Sequence, residues 1–334
     1  MLNRQQLVGL VALTLMWGVN WPMMKLSLQE LTPLYFRAFT MTGGTLWLAV
    51  FFYLRGVRMV PHGASEWRSI VTLGLPNLLG WHTLSIFGVQ ALASGRAAIL
   101  GFTMPVWTVL LGALFFGQRL TRRSVAAALA VLLAVALLLA DEWGNLAGSP
   151  FGVVVMLGAA ICWAIGTLMM RRAQLTLPVE ALTVWMMALT SVCMWLMAAA
   201  SEPWPQFQFS VPMWISLAYG VVFNYGFAQI IWFSLARHLP PATSAMSVML
   251  VPLIGTASAT LIMNEWPRWQ DGVAVLCVMV AIARPDFSRS EFVVPPRRSS
   301  VSFLHSRAMA TTETCVTLQH STANFRRFFS LTTA

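Results

Sequence analysis

Asn77 and Asn224 stand 147 residues apart, each in the middle of a long apolar run, where an amide costs free energy unless something bonds it. A carboxamide offers two donors and an acceptor, so a symmetric pair suits recognition of a small zwitterion. It also suits bonding between helices. The same spacing relates His82 to Gln229. His82 is the one histidine inside an apolar run; its ring could titrate in a proton-coupled step or serve as a neutral hydrogen-bonding group. Asn20 lies two residues before Pro22 and can bond either a ligand or a carbonyl that the proline frees. Trp17 and Trp163 present indoles that could stack on a substrate, gate a cavity or pack between helices. Lys25, Arg37 and Glu265 fall near the ends of runs, as does Arg96; Lys25 reads as an interfacial anchor or an attractor of an anionic substrate group, and the other three as rim ion pairs or hydrogen-bonded caps. Pro105 and Pro252 join Pro22 as candidate hinges. All this is binding chemistry. No H-E-x-x-H motif, carboxylate cluster or nucleophile–base pair occurs at helical spacing within the runs. Cys162, Cys193, Cys277 and Cys315 lack zinc, redox or disulfide spacing, and no metal or cofactor is expected.

The runs that carry these residues determine the solvent. Hydrophobic residues make up 58% of the 334 and charged residues 10%, with mean hydropathy +0.71, against about 25% charge in an ordinary soluble domain. Only helices or closed barrels satisfy backbone hydrogen bonds in lipid, and continuously apolar runs favour helices. Pro, Gly and charge delimit ten expected spans near 6–26, 33–54, 67–90, 95–116, 124–141, 150–171, 179–200, 212–236, 242–263 and 269–284. The net charge of +10 is mostly arginine and lies unevenly. Arg4, Arg55, Arg58, Arg68, Arg119, Arg122, Arg123, Arg171, Arg172 and Arg237 fall on one side, and only Lys25, Arg37, Arg96 and Arg268 on the other. The positive-inside rule then places both termini in the cytoplasm. The expected partners are a bilayer and a small-molecule substrate, with no nucleic acid, and the expected assembly is a monomer or homodimer.

A duplication runs through the chain. WGVNWPMMK at 17–25 aligns with WAIGTLMMR at 163–171, while Asn77, His82, Pro105 and Gln118 fall on Asn224, Gln229, Pro252 and Glu265. Five helices per copy oblige the second to enter the membrane inverted, and such proteins bind substrate near the midplane where the copies meet. The recurrence also argues against a cleaved leader at the start, as does the lack of an A-x-A-like site.

The order of these motifs resembles the EamA family of the drug/metabolite transporter superfamily. The resemblance rests on W-G-x-N-W-x-x-x-K followed by Pro33 and Arg37, on ALASGRAAILGFTMPVWTVLLGALFFGQRLT at 91–121, and on ARHLPPATSAMSVMLVPLIGTASATLIMNEW at 236–266. It covers roughly residues 5–283 and implies an all-α, ten-helix carrier of two inverted repeats that exports amino acids or related metabolites through a cavity lined by both halves. Gln118 departs from the family's usual Glu, so two symmetric carboxylates are not expected. The expected organisation is a first repeat at 1–142, a second at 150–284, and a disordered Arg/Ser/Thr-rich tail at 285–334 that follows a shortened last helix. The tail is either native or the product of a shifted reading frame. The leading functional reading is an inner-membrane secondary exporter working by alternating access; a membrane-embedded enzyme, a receptor and a channel are the alternatives.

Overall fold

A computed structural model describes residues 4–117, 120–144, 149–232 and 250–283. Gln118, Arg119, Arg237, Cys315, residues 233–249 of the spans expected at 212–236 and 242–263, and the tail at 285–334 lie outside these residues. Among the described residues all regular structure is helical. The helices are α1 (Arg4–Ser27), α2 (Pro33–Leu54), α3 (Gly63–Ala91), α4 (Ser94–Gly101 continuing as Met104–Phe116), α5 (Arg122–Gly144), α6 (Pro150–Arg172), α7 (Val179–Ser201), α8 (Val211–Trp232), α9 (Val251–Met263) and α10 (Trp269–Ala283).

Seven of these helices are long and apolar enough to cross a membrane, and the chain is a multi-pass membrane protein. Helices α9 and α10 are apolar but shorter. Helix α2, at 22 residues, spans about 33 Å at 1.5 Å per residue, yet it carries Arg37. Exposed apolar side chains recur at helical spacing, as with Leu129, Leu132 and Leu133 on α5, Val192 and Leu196 on α7, and Leu276 and Val280 on α10. In water such stripes would be a liability; facing lipid they are the expected surface.

Helix starts are written in proline and serine. Pro33, Pro150 and Pro212 occupy first-turn positions where a missing N–H costs nothing. Ser149 and Ser210 cap α6 and α8 by accepting from the N–H groups of Gly152 and Met213.

The duplication is visible in geometry. Met104–Phe116 and Val251–Met263 are both 13-residue helices with a proline in the first turn, Pro105 or Pro252. Both end on a left-handed residue, Gly117 (φ 64°) and Asn264 (φ 55°), again 147 apart. Each of α3 and α8 is interrupted by a π-helical stretch, at Leu75–Gly80 and Gly220–Phe227. Packing repeats as well: α2 lies on α7, α4 on α9 and α5 on α10, so each of these helices meets its own counterpart. Other contacts come in matched pairs, α1 on α9 with α6 on α4, α1 on α8 with α6 on α3, and α2 on α8 with α7 on α3.

The counterpart helices run antiparallel. Leu34 and Tyr35, at the start of α2, donate N–H to Glu202 just beyond the end of α7, at 3.0 and 3.1 Å. Ser94, at the start of α4, donates its N–H to Glu265 just beyond the end of α9, at 2.7 Å. Gln270 at the start of α10 donates to Asp141 near the end of α5, at 3.0 Å. Gln270 does so through its side-chain amide, whereas at α2 and α4 the carboxylate satisfies orphan backbone donors from the facing element. Glu30 does the same for the Ser210 N–H (2.8 Å), and its hydrogen bonds with Ser210 hold the carboxyl below its ordinary value.

Candidate functional site

The π-helical stretches hold the two asparagines. Asn77 lies in one and Asn224 in the other, and both are buried. Pro76 accounts for the first interruption, since it lacks the N–H for an i→i−4 bond; α8 has no proline there. Interruptions of this kind recur at functional positions because they redirect side chains. Asn77 abuts Gly166 of α6 so closely that a Cβ there would lie 2.6 Å from the Asn77 side chain.

His82 turns to another neighbour. Its Nδ1 is 3.2 Å from the Tyr225 hydroxyl of α8. The same hydroxyl accepts from Nη1 of Arg37 at 3.1 Å, and Nη2 of Arg37 donates to Ser85 Oγ, also at 3.1 Å. Arg37 is therefore no rim group. It is 3% exposed, its Nε is buried without a partner, and among the described residues it makes no ion pair with a carboxylate. The rim expectation followed from its place in the first turns of α2 and overlooked the reach of the side chain. Arg37, His82 and Ser85 come from the first repeat and Tyr225 from the second, so the cluster sits on the seam between them.

Glycine brings the helices this close. A Cβ on Gly44 of α2 would lie 2.3 Å from Cβ of Tyr225, and one on Gly43 would lie 2.7 Å from Val221. Helix α8 thus meets α2 almost backbone to backbone, as small residues permit in membranes.

A second arginine has the opposite surroundings. Arg96, at the start of α4, pairs with Asp271 (Nε, 2.7 Å), Asp141 (Nη2, 2.5 Å) and Glu142. These side chains are all 9% exposed or less. Arg268 adds a bond to Asp141 at 3.1 Å, and Glu142 also accepts from the N–H of Ser149 at 2.7 Å. Beside this network is a cavity of about 280 Å³ lined by Gly95, Arg96, Glu265, Trp266, Arg268 and Asp271.

The remaining expected residues divide between packing and capping. Lys25 donates Nζ to the carbonyls of Val89, Gln90 and Leu92, at 2.9, 2.7 and 2.8 Å, which closes the C-terminal end of α3. Glu265 accepts from both the N–H and the hydroxyl of Ser94. Trp17 packs tilted against Trp232 with ring centroids 5.6 Å apart, and Trp163 packs edge-to-face against Trp81 at 5.4 Å. Pro22 is buried inside α1, while Asn20 and Gln229 are half-buried on α1 and α8. Pro105 starts a new helical segment after the turn at Phe102 and Thr103. Ser85, Tyr225 and Asp271 were not singled out from sequence. Their one available signal was proximity to residues that were: Ser85 lies one turn past His82, and Tyr225 follows Asn224.

With antiparallel counterpart helices and a polar cluster on the seam between the repeats, the chain has the architecture of a two-repeat helical membrane protein. It belongs to the EamA-like transporter family, which matches residues 6–140 and again 150–283. Relatives include the uncharacterized inner membrane transporter YedA of Escherichia coli K12, 26% identical over 298 residues that cover 86% of this chain and 94% of that one. The uncharacterized transporter YvbV of Bacillus subtilis is 26% identical over 262 residues, covering 77% and 83%. A protein of E. coli K12 named "Probable amino-acid metabolite efflux pump" is 23% identical over 278 residues, covering 79% and 89%. A solved crystal structure shares the fold with a TM-score of 0.58 and 21% identity, over 85% of this chain and 98% of that one.

Proposed function

We propose that the protein is a secondary transporter of the inner membrane that exports a small polar metabolite, an amino acid or a close relative, by alternating access. In this reading the chain crosses the membrane ten times as two inverted halves, residues 1–142 and 150–284, with both termini in the cytoplasm and a tail at 285–334. It works as a monomer or homodimer without cofactor or nucleic acid. The observation that carries the proposal is the antiparallel packing of α2 on α7, α4 on α9 and α5 on α10, because halves related in this way can exchange conformations and so open a shared site to either side. Support for the substrate class comes from the name of the efflux-pump relative and from the seam cluster of Arg37, His82, Ser85 and Tyr225, which can bond a small polar molecule. The arginine bias supports the orientation.

The test is counterflow in proteoliposomes against a panel of labelled amino acids. Trans-stimulated exchange of at least one compound, with no chemical conversion, is the expected result. Conversion to a new product would make the protein an enzyme, and flux without trans-stimulation would make it a channel.

A further inference from the structure

We infer that Arg37 is the anchor for a carboxylate on the transported molecule. The inference rests on the transport reading above and adds the chemical group that the seam between the repeats is built to hold. A guanidinium carries five N–H donors in one plane. Here one goes to the Tyr225 hydroxyl and one to the Ser85 hydroxyl, while Nε, buried, has no partner. These hydroxyl partners orient the plane and leave its charge in place. The other groups around it are His82, which approaches through Tyr225 at 3.2 Å, and the Phe36 ring, whose centroid is 6.0 Å from the guanidinium carbon. None of these is an anion.

A buried charge is held by a partner of opposite sign or kept for one that arrives. Among the described residues Asp141, Glu142, Glu202, Glu265 and Asp271 are engaged elsewhere, on Arg96, Arg268 and the starts of α2, α4 and α6. The arriving partner is best a monoanion, since one negative charge neutralises one guanidinium. Nε together with a neighbouring Nη presents two parallel N–H bonds, the pattern that a carboxylate accepts with both oxygens. The Ser85 and Tyr225 hydroxyls can each turn to donate to the same anion. The anion would thus touch α2 and α3 of one repeat and α8 of the other, so its arrival draws the two halves together.

The experiment uses the full chain in proteoliposomes and measures counterflow of each L-amino acid beside its carboxamide and its decarboxylated amine. For compounds that exchange, the acid is expected to outrun its amide by at least about tenfold, a margin worth about 1.4 kcal/mol. In Arg37→Gln that ratio falls to near one. Arg37→Lys, which keeps the charge without the fork, lies between, and it decides the matter should the glutamine variant fail to fold. The ratio does not depend on how much of a variant reaches the membrane, so a purely structural arginine would leave it unchanged. Inorganic phosphate is expected not to compete. Equal rates for acids and amides in the unaltered protein, an unchanged ratio in both variants, or effective competition by phosphate would each overturn the carboxylate anchor and leave the transporter standing. Absence of counterflow for every compound would remove the transport reading, and the anchor with it.

Discussion

Arg96 and Arg37 are both buried, both near the start of a helix in the first repeat, and they face opposite electrostatic problems. Arg96 is surrounded by three carboxylates at ion-pair distance, drawn from α5 and α10. Arg37 has two hydroxyls and an unpartnered Nε. Desolvating a charge costs several kcal/mol, and only close, well-bonded countercharges offset it. The first arginine therefore belongs to the architecture: it ties α4 to the α5–α10 pair at the end where Glu265 caps α4. The second is tolerated by the architecture, which marks it as a group retained for what it binds. In a membrane protein, the presence or absence of a countercharge separates these two roles better than burial does.

The largest effect should follow from opening the first arrangement. Arg96→Gln leaves Asp141, Glu142 and Asp271 gathered without their common partner, and breaking a buried pair in this way costs about 3–5 kcal/mol. Melting of the detergent-purified protein should show the loss. Replacing the three carboxylates by amides in the same chain should restore most of it, because the penalty lies in stranded charge. A combined variant no more stable than the single one would mean that Arg96 acts through packing.

How much of this contrast could be read beforehand depends on which residues carry it. Repetition was legible because its signals lie along the chain: WGVNWPMMK recurs as WAIGTLMMR, and Asn77, His82 and Pro105 recur as Asn224, Gln229 and Pro252 at one offset, although the prolines read as mid-helix hinges and the structure makes them first-turn residues. The basic residues themselves stood out, since Arg37, Arg96, Arg268 and Lys25 are the few expected on the sparsely charged side, although the depth of Arg37 did not. Nor did the partners. The Arg96 network joins positions 96, 141, 142 and 271, which only the packing of α5 on α10 brings together. Tyr225 has no counterpart in the first repeat, where the 147-residue offset lands on Leu78. Symmetry, the strongest guide to the fold, therefore pointed to Asn77 and Asn224 and away from the asymmetric groups at the seam. A side chain as long as arginine also sets its depth by where it reaches, which position along a helix does not reveal.

The next effect concerns the spacing that holds Tyr225 against Arg37. Gly44→Ala places a methyl 2.3 Å from the Tyr225 Cβ, and relieving such a clash by separating α2 from α8 costs about 1–3 kcal/mol. It should also weaken any discrimination between acids and amides, since the hydroxyl that orients the guanidinium moves with α8. A stable variant with unaltered discrimination would detach Tyr225 from the site.

A smaller change is expected where α1 meets α8 away from both arginines. Ser216 Oγ donates to the Met23 carbonyl at 2.5 Å and accepts from Ser27 at 2.7 Å. Hydrogen bonds between helices in lipid average about 0.6 kcal/mol each, so Ser216→Ala, which loses two of them, should lower stability by about 1.2 kcal/mol. Its acid-to-amide ratio should remain that of the unaltered protein, which makes it the control for the glycine variant.

The smallest effect on stability is expected from the second arginine. Arg37→Gln gives up two hydrogen bonds to a charged donor, each worth about 1.5–3 kcal/mol. It also removes a desolvated charge whose cost is several kcal/mol. The terms oppose each other with similar size, so the melting temperature should stay within the equivalent of about 1 kcal/mol of the unaltered protein, even as recognition of carboxylates is lost. The Tyr225 hydroxyl keeps His82, so the glutamine variant does not leave it without a partner. A loss of about 3 kcal/mol or more, as large as that expected for Arg96→Gln, would mean that both arginines are clamps and that a countercharge does not distinguish them.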